Sequence, residues 1–183
     1  MRVTRAGIRE SVVASAMTAV FSARGHGTAY APIVSVHGEV LHNHAHDGLL
    51  EDGALLLCDV GAETAGGWAG DVTRTWPVSG RFSPTQRAVY DIVLAANERV
   101  ISKVRPGARW RDLHVEASHV IAEGLVALGW LRGSPASLVE EGAHALFFPH
   151  GRGHLIGLDV HDMEDLGDRA GYVPGRTRSA QFG

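Results

Sequence analysis

Leu55-Leu56-Leu57-Cys58-Asp59-Val60-Gly61-Ala62-Glu63-Thr64-Ala65-Gly66-Gly67-Trp68-Ala69-Gly70-Asp71-Val72-Thr73-Arg74-Thr75-Trp76 carries two aspartates on either side of a glycine pair. The first half is an apolar run rich in strand formers that ends on a carboxylate. Ala65-Gly66-Gly67 reads as a tight reversal, and Val72 to Val78 returns as a second strand. With the turn centred near Ala65, Asp59 and Asp71 stand directly opposite each other in an antiparallel pair. Opposed side chains share a face, with Cβ atoms roughly 4.5–5.5 Å apart. Two ionised carboxylates that close repel, and they require a shared proton, a basic residue or a cation. Arg74 lies an odd number of residues from Asp71, so in a regular strand it faces away. A divalent metal is the expected neutraliser.

The rest of the composition fits one globular domain. Of 183 residues 45% are hydrophobic and 20% charged, enough for a sizeable core. A formal net charge of −3 gives no electrostatic reason to expect nucleic acid or an anionic membrane as partner. No apolar stretch approaches the ~20 residues of a membrane span. Arg9, Glu10 and Ser11 interrupt the segment from Ala6 to Ala14, which therefore does not read as a signal peptide. The single cysteine, Cys58, has no internal disulfide partner, which fits a reducing compartment, the cytoplasm. Set among Leu55, Leu56 and Leu57, it reads as a small core residue rather than a nucleophile.

Ile8 to Arg24 reads as a helix, with Ile8, Val12, Val13, Met17, Val20 and Phe21 at helical spacing and Gly25 as a stop. Ala31 to Val36 is a short β-prone segment, and Val40 to Asp47 leads through a polar turn into the strand from Ala54 to Val60. Ser83-Pro84 opens a long helix, with Ser83 as cap and Tyr90, Val93, Leu94, Asn97 and Ile101 along it. Trp110 to Leu128 is the next helix, with Leu113, Ala117, Val120, Ile121, Leu125 and Leu128 inward. A short helix follows from Ser137 to His144. Helices interleaved with hairpins point to α+β, not an alternating parallel βαβ fold.

Eleven histidines matter here for where they cluster. His42, His44 and His46 alternate, so an extended strand would place all three on one face, where Zn²⁺ or Cu²⁺ could bind. A polar, partly exposed segment with at most one functional histidine is the plainer reading, and we adopt it. The second cluster is Phe147-Phe148-Pro149-His150-Gly151-Arg152-Gly153-His154-Leu155-Ile156-Gly157-Leu158-Asp159-Val160-His161-Asp162. Gly-Arg-Gly between His150 and His154 is a poor helical sequence, which excludes the helical zincin arrangement. Glycines here suit tight turns or a backbone that closely approaches a ligand. Each histidine alone is best read as a hydrogen-bonded structural residue. Three of them beside aromatics, in a chain with a carboxylate pair, favour a site.

Together these segments resemble the metallopeptidases of the aminopeptidase P and prolidase family, which have the pita-bread fold and cleave Xaa-Pro bonds. The likeness rests on Leu41-His42, Asp59 to Glu63, Gly70 to Val78, Phe82-Ser83 through Val93-Leu94, and His150 to Asp162, and it runs from roughly Ile8 to the end of the chain. It implies a proline-specific metallopeptidase, an Xaa-Pro aminopeptidase or Xaa-Pro dipeptidase, with a peptide substrate bearing proline at the second position. It also implies two divalent cations, Mn²⁺ foremost with Co²⁺ or Zn²⁺ as alternatives, held by two Asp, one His and two Glu. On this resemblance Asp59 binds one metal, Asp71 bridges both and His154 is the third ligand. His42, His150 and His161 match the outer histidines that contact substrate and stabilise the transition state. The Asp59–Asp71 loop is one residue longer than in many members, and because the extra residue falls in the turn neither carboxylate should be misplaced.

The family's two glutamates lie on strands beyond the histidine block, the first commonly assigned as general base. Glu164 follows His161 too closely to be either. The family's N-terminal domain also has no counterpart before Ile8. The expectation is therefore a partial pita-bread catalytic domain over 1–183, incomplete at its C-terminal end, with three of five metal ligands and little activity alone. A homodimer is compatible with this reading. The alternatives are a non-catalytic pita-bread module that binds peptides or a protein, and a metal-independent creatinase-like hydrolase. Neither needs the Asp pair.

Overall fold

A computed structural model describes residues 3–151 and 153–163. Arg152, Glu164 and the tail from Asp165 onward lie outside the described residues. The chain divides into two compact units: one takes in the residues up to Ser83 and the segment beginning at His154, the other runs from Pro84 to Gly153.

In the first unit, helix α1 (Glu10–Ser22) precedes strands β1 (Gly27–Thr28), β2 (Ile33–Ser35), β3 (Leu55–Val60), β4 (Ala62–Glu63) and β5 (Val72–Pro77). β2, β3 and β5 form an antiparallel sheet in that order, and β1 pairs with β4. Period-2 alternation decides what faces the core. Leu56 and Cys58 on β3 are buried, as is Trp76 on β5, and they pack with Val13 and Ala14 of α1, Val34 and Leu50. Burial pushes the Cys58 thiol up to about 12, so it is protonated at neutral pH and behaves as the core residue expected from its leucine neighbours.

One expectation for this unit needs correction. The buried stripe of α1 is Glu10, Val13 and Ala14, with Met17 packed against the core, whereas Val12 and Val20 are each about half exposed. Apolar residues outnumber what one face can bury, and the sheet selects the face. No strand forms between Val40 and Asp47: His42 has φ 55 in a turn, and His44 is exposed. His46 instead places Nε2 2.9 Å from the Pro32 carbonyl. The three histidines therefore do not share an extended face.

The second unit holds α2 (Pro84–Ile101), α3 (Trp110–Ala127), α4 (Pro135–Glu140) and a 3₁₀ turn at Ala143–Leu146, so the expected helix over Ser137 to His144 is split in two. α2 and α3 pair through Ala96, Val100, Leu113 and Ala117. Val93, Leu94 and Ile101 along α2 are exposed while Ala96 and Val100 are buried, and Leu128, expected inward after α3, is marginally exposed. Small side chains let two helices approach closely. Glu116 on α3 ties the pair at its rim, with Lys103 Nζ at 2.6 Å and Arg99 Nη1 at 3.3 Å.

The Lys103 hydrogen bond, then the positive charges of Lys103 and Arg99, hold the Glu116 carboxyl below its ordinary pKa. A depressed carboxyl stabilises the fold above its unfolded pKa of ~4.3 and loses that contribution as the pH falls through the folded value. Chemical denaturation should show Glu116→Gln less stable than the parent at pH 7. The gap should shrink to nothing in strong acid and narrow in high salt. A difference independent of pH would show that the ion pairs contribute nothing.

Candidate metal centre

The hairpin of β3 and β5 carries both aspartates. Its register pairs Asp59 with Thr73 and Val60 with Val72, and the bridge Glu63↔Ala69 continues the same register toward the turn. The turn is thus centred on Gly66, one residue later than expected. Thr64 and Trp68 close a three-residue loop: Gly67 N–H donates to the Thr64 carbonyl, and Thr64 N–H to the Trp68 carbonyl, each at 2.9 Å. Gly67, at φ 81, takes the left-handed position such a loop requires. Asp71 therefore lies diagonal to Asp59, not directly opposite. A two-residue offset conserves the face, so the carboxylates still converge.

They converge on Tyr30. Its hydroxyl lies 2.5 Å from Asp59 Oδ1 and 2.9 Å from Asp71 Oδ1. Burial, then the hydrogen bonds to Asp59 and Asp71, raises the phenol's pKa far above its ordinary value, so it remains a proton donor. One O–H faces two carboxylates and cannot fully satisfy both. Gly61 makes room for this arrangement: a Cβ there would stand 1.7 Å from the Gly70 carbonyl oxygen and 2.8 Å from Tyr30 Cε1.

His154 approaches from the other side of Asp71, with Nε2 3.0 Å from Asp71 Oδ2 and Nδ1 2.8 Å from the Leu155 carbonyl. The segment is docked on the hairpin by a backbone bond from Ala69 N–H to the Gly157 carbonyl. Both ring nitrogens of His154 thus face acceptors. If Nδ1–H donates to Leu155, the Nε2 lone pair meets a carboxylate, and only a proton or a cation reconciles them. That tautomer is the one a metal-binding histidine uses, its second nitrogen fixed by a carbonyl. His161 stacks on His154, ring centroids 4.0 Å apart.

The donor set suits a hard or borderline divalent cation: two carboxylates and an imidazole, with no thiolate. Among the described residues no three His, Cys, Asp or Glu side chains are grouped closely enough to hold an ion as placed. Among the described residues, hydrogen bonds link Asp59 to His154 by way of Tyr30 and Asp71. Arg74 donates to the Thr73 carbonyl and lies exposed. His42 is exposed at its turn, and His150 is exposed in the second unit. The sequence reading missed Tyr30. Its only trace there is an aromatic just ahead of a β-prone segment, with nothing to link it to residues thirty or forty positions on.

The profile of metallopeptidase family M24 matches residues 1–181. The chain belongs to this family. Among M24 relatives, a "Probable Xaa-Pro aminopeptidase" of Colletotrichum graminicola is 44% identical over 130 residues, 69% of this chain and 24% of its own length. "Proline aminopeptidase P II from Yersinia pestis" superposes with a TM-score of 0.85 at 42% identity, covering 87% of this chain and 37% of that one. "Zn substituted E. coli Aminopeptidase P in complex with product" gives 0.85 at 38% identity with the same coverage. The fold is thus the α+β pita-bread fold of aminopeptidase P, and the chain spans about a third of the solved chains it matches.

Gly61→Ala should cost ~1–3 kcal/mol, because the new methyl meets a backbone oxygen that cannot rotate away. Urea denaturation checks this, and unchanged stability would mean that Gly61 is not a close-approach position.

Proposed function

We propose that this chain supplies part of the catalytic domain of an Xaa-Pro metallopeptidase, and within it the carboxylate–imidazole half of a dinuclear centre. The observation that carries this reading is the convergence of Asp59 and Asp71 on one phenol, with His154 on the far side of Asp71. The names of relatives, Xaa-Pro aminopeptidase and proline aminopeptidase P, support the choice of an Xaa-Pro bond, and we propose with it a peptide substrate that carries proline second.

Asp59 would hold one ion, Asp71 would bridge two, and His154 would offer Nε2. Mn²⁺ is the favoured ion, with Co²⁺ and Zn²⁺ as alternatives; a zinc-substituted relative bound to product agrees with that range. When bound, the ions supply a polarised water and a polarised scissile carbonyl. The chain's own residues do the rest. Tyr30 holds the two carboxylates in register against their mutual repulsion. Leu155 orients the His154 ring through Nδ1, and His161 braces it by stacking. His42, His150 and His161 are the groups proposed to contact substrate, an imidazole N–H donating to the developing oxyanion or to the proline-side carbonyl or carboxylate. The two glutamates of the family's ligand set would come from elsewhere in the catalytic domain. A homodimer and a cytoplasmic location belong to the same proposal. Among the described residues no helix is long and apolar enough to cross a membrane.

The test is Mn²⁺-dependent hydrolysis of an Xaa-Pro peptide by the protein that carries this chain. Asp71→Ala should abolish both Mn²⁺ binding and turnover. Activity surviving that substitution would sink the proposal, and peptide binding without any hydrolysis would favour the non-catalytic module. Tyr30→Phe keeps the ring and removes the shared donor. It should weaken Mn²⁺ affinity or activity by ~10- to 100-fold, the range for groups that orient metal ligands. Metal titration of the two variants separates the effects.

A further inference from the structure

Glu10 is almost completely buried, at 2% exposure, on the face of α1 that also buries Val13 and Ala14. An apolar side chain would fill that place without the cost of desolvating a carboxylate. The group is fully occupied. Oε1 accepts the Val36 N–H at 2.7 Å and Oε2 accepts the Gly48 N–H at 3.0 Å. The backbone of α1 adds to the same junction, with Glu10 N–H donating to the Gly48 carbonyl at 2.9 Å and Ser11 N–H to the His46 carbonyl at 3.1 Å. A Cβ on Gly48 would stand 2.6 Å from the Glu10 carboxyl carbon, so that glycine leaves the space the carboxylate fills.

Val36 and Gly48 are the two ends of the loop that follows β2, and His42 is its midpoint. Between them the backbone has no strand pairing, and His42 itself holds φ 55 in a turn. A loop of that length with an irregular midpoint keeps one conformation only if its neck is closed. One carboxylate with two oxygens, each on one end of the loop, closes it through charge-assisted hydrogen bonds. We infer that Glu10 is a positioning residue for His42: it clamps the neck of the Val36–Gly48 loop and so fixes where that imidazole is presented. The consequence for catalysis rests on the proposed role of His42 toward substrate. The clamp itself does not.

Glu10→Gln is nearly isosteric but leaves an NH₂ facing one of the two N–H donors. Hydrogen exchange should quicken about 10-fold at the Val36 and Gly48 amides and through the loop between them, while β3 and β5 amides stay protected. In the Mn²⁺-loaded protein acting on an Xaa-Pro peptide, Glu10→Gln and His42→Ala should each lower kcat/KM. The double variant should lose no more than His42→Ala alone, with Mn²⁺ affinity unchanged by Glu10→Gln. Loop exchange equal to the parent's, or losses that multiply in the double variant, would overturn the inference. If Glu10→Gln does not fold, Gly48→Ala displaces the carboxylate instead and should give the same pattern. A parent protein without Xaa-Pro hydrolysis overturns the peptidase reading, and loop exchange then decides the clamp by itself.

Discussion

Two carboxylates brought to one phenolic proton set the terms for the first unit. Their repulsion is a cost that the surrounding fold must offset, and each neighbouring feature contributes. Pairing of β3 with β5 fixes the two strands, and Gly61 lets the backbone of Gly70 and the ring of Tyr30 close in together. The Tyr30 hydroxyl neutralises part of the repulsion. His154, docked through the Gly157 carbonyl, addresses the remaining oxygen of Asp71. A site assembled this way is poised for cations because its own residues leave the negative charge incompletely matched.

Much of this was legible in the sequence, for a physical reason. Side-chain parity along a strand is robust: a turn misplaced by one residue moves the partner by two and leaves the face unchanged. The aspartates could therefore be placed on a common face, and Arg74 pointed away, even though the direct Asp59–Asp71 opposition was wrong. Cys58 was equally readable, since an apolar run leaves it nowhere to go but the core. Helix faces were harder. α1 has more apolar positions than it can bury, and only the sheet it meets selects Val13 over Val12.

Tyr30 and Glu10 mark where sequence reasoning stopped. Each acts across a long separation in the chain, Tyr30 on Asp59 and Asp71, Glu10 on Val36 and Gly48. No local periodicity encodes such contacts. Glu10 did leave a trace, a charge three and four residues before Val13 and Ala14 on what became the buried stripe. A carboxylate on an inward face needs donors nearby, and irregular loops with free N–H groups provide them. The histidines from His42 to His46 show the limit of alternation as a signal. Their alternation looked like a strand, but it belongs to a loop whose shape is imposed from outside.

The three-residue reversal at Ala65-Gly66-Gly67 also limits how this hairpin can be rebuilt. Thr64 and Trp68, which close the loop, are the reference: Asp59 and Asp71 each lie an odd number of residues from their member of that pair, and this is what keeps them on one face. Changes of length between Thr64 and Trp68 are therefore silent for the carboxylates, whereas one residue added to or removed from either strand between that pair and its aspartate turns one carboxylate to the other face unless a bulge absorbs it. A tip of different length can be grafted from a homologue as long as its ends still pair where Thr64 and Trp68 do. The residue count between that closing pair and each aspartate, and not the length of the exposed tip, thus governs whether the two carboxylates can meet.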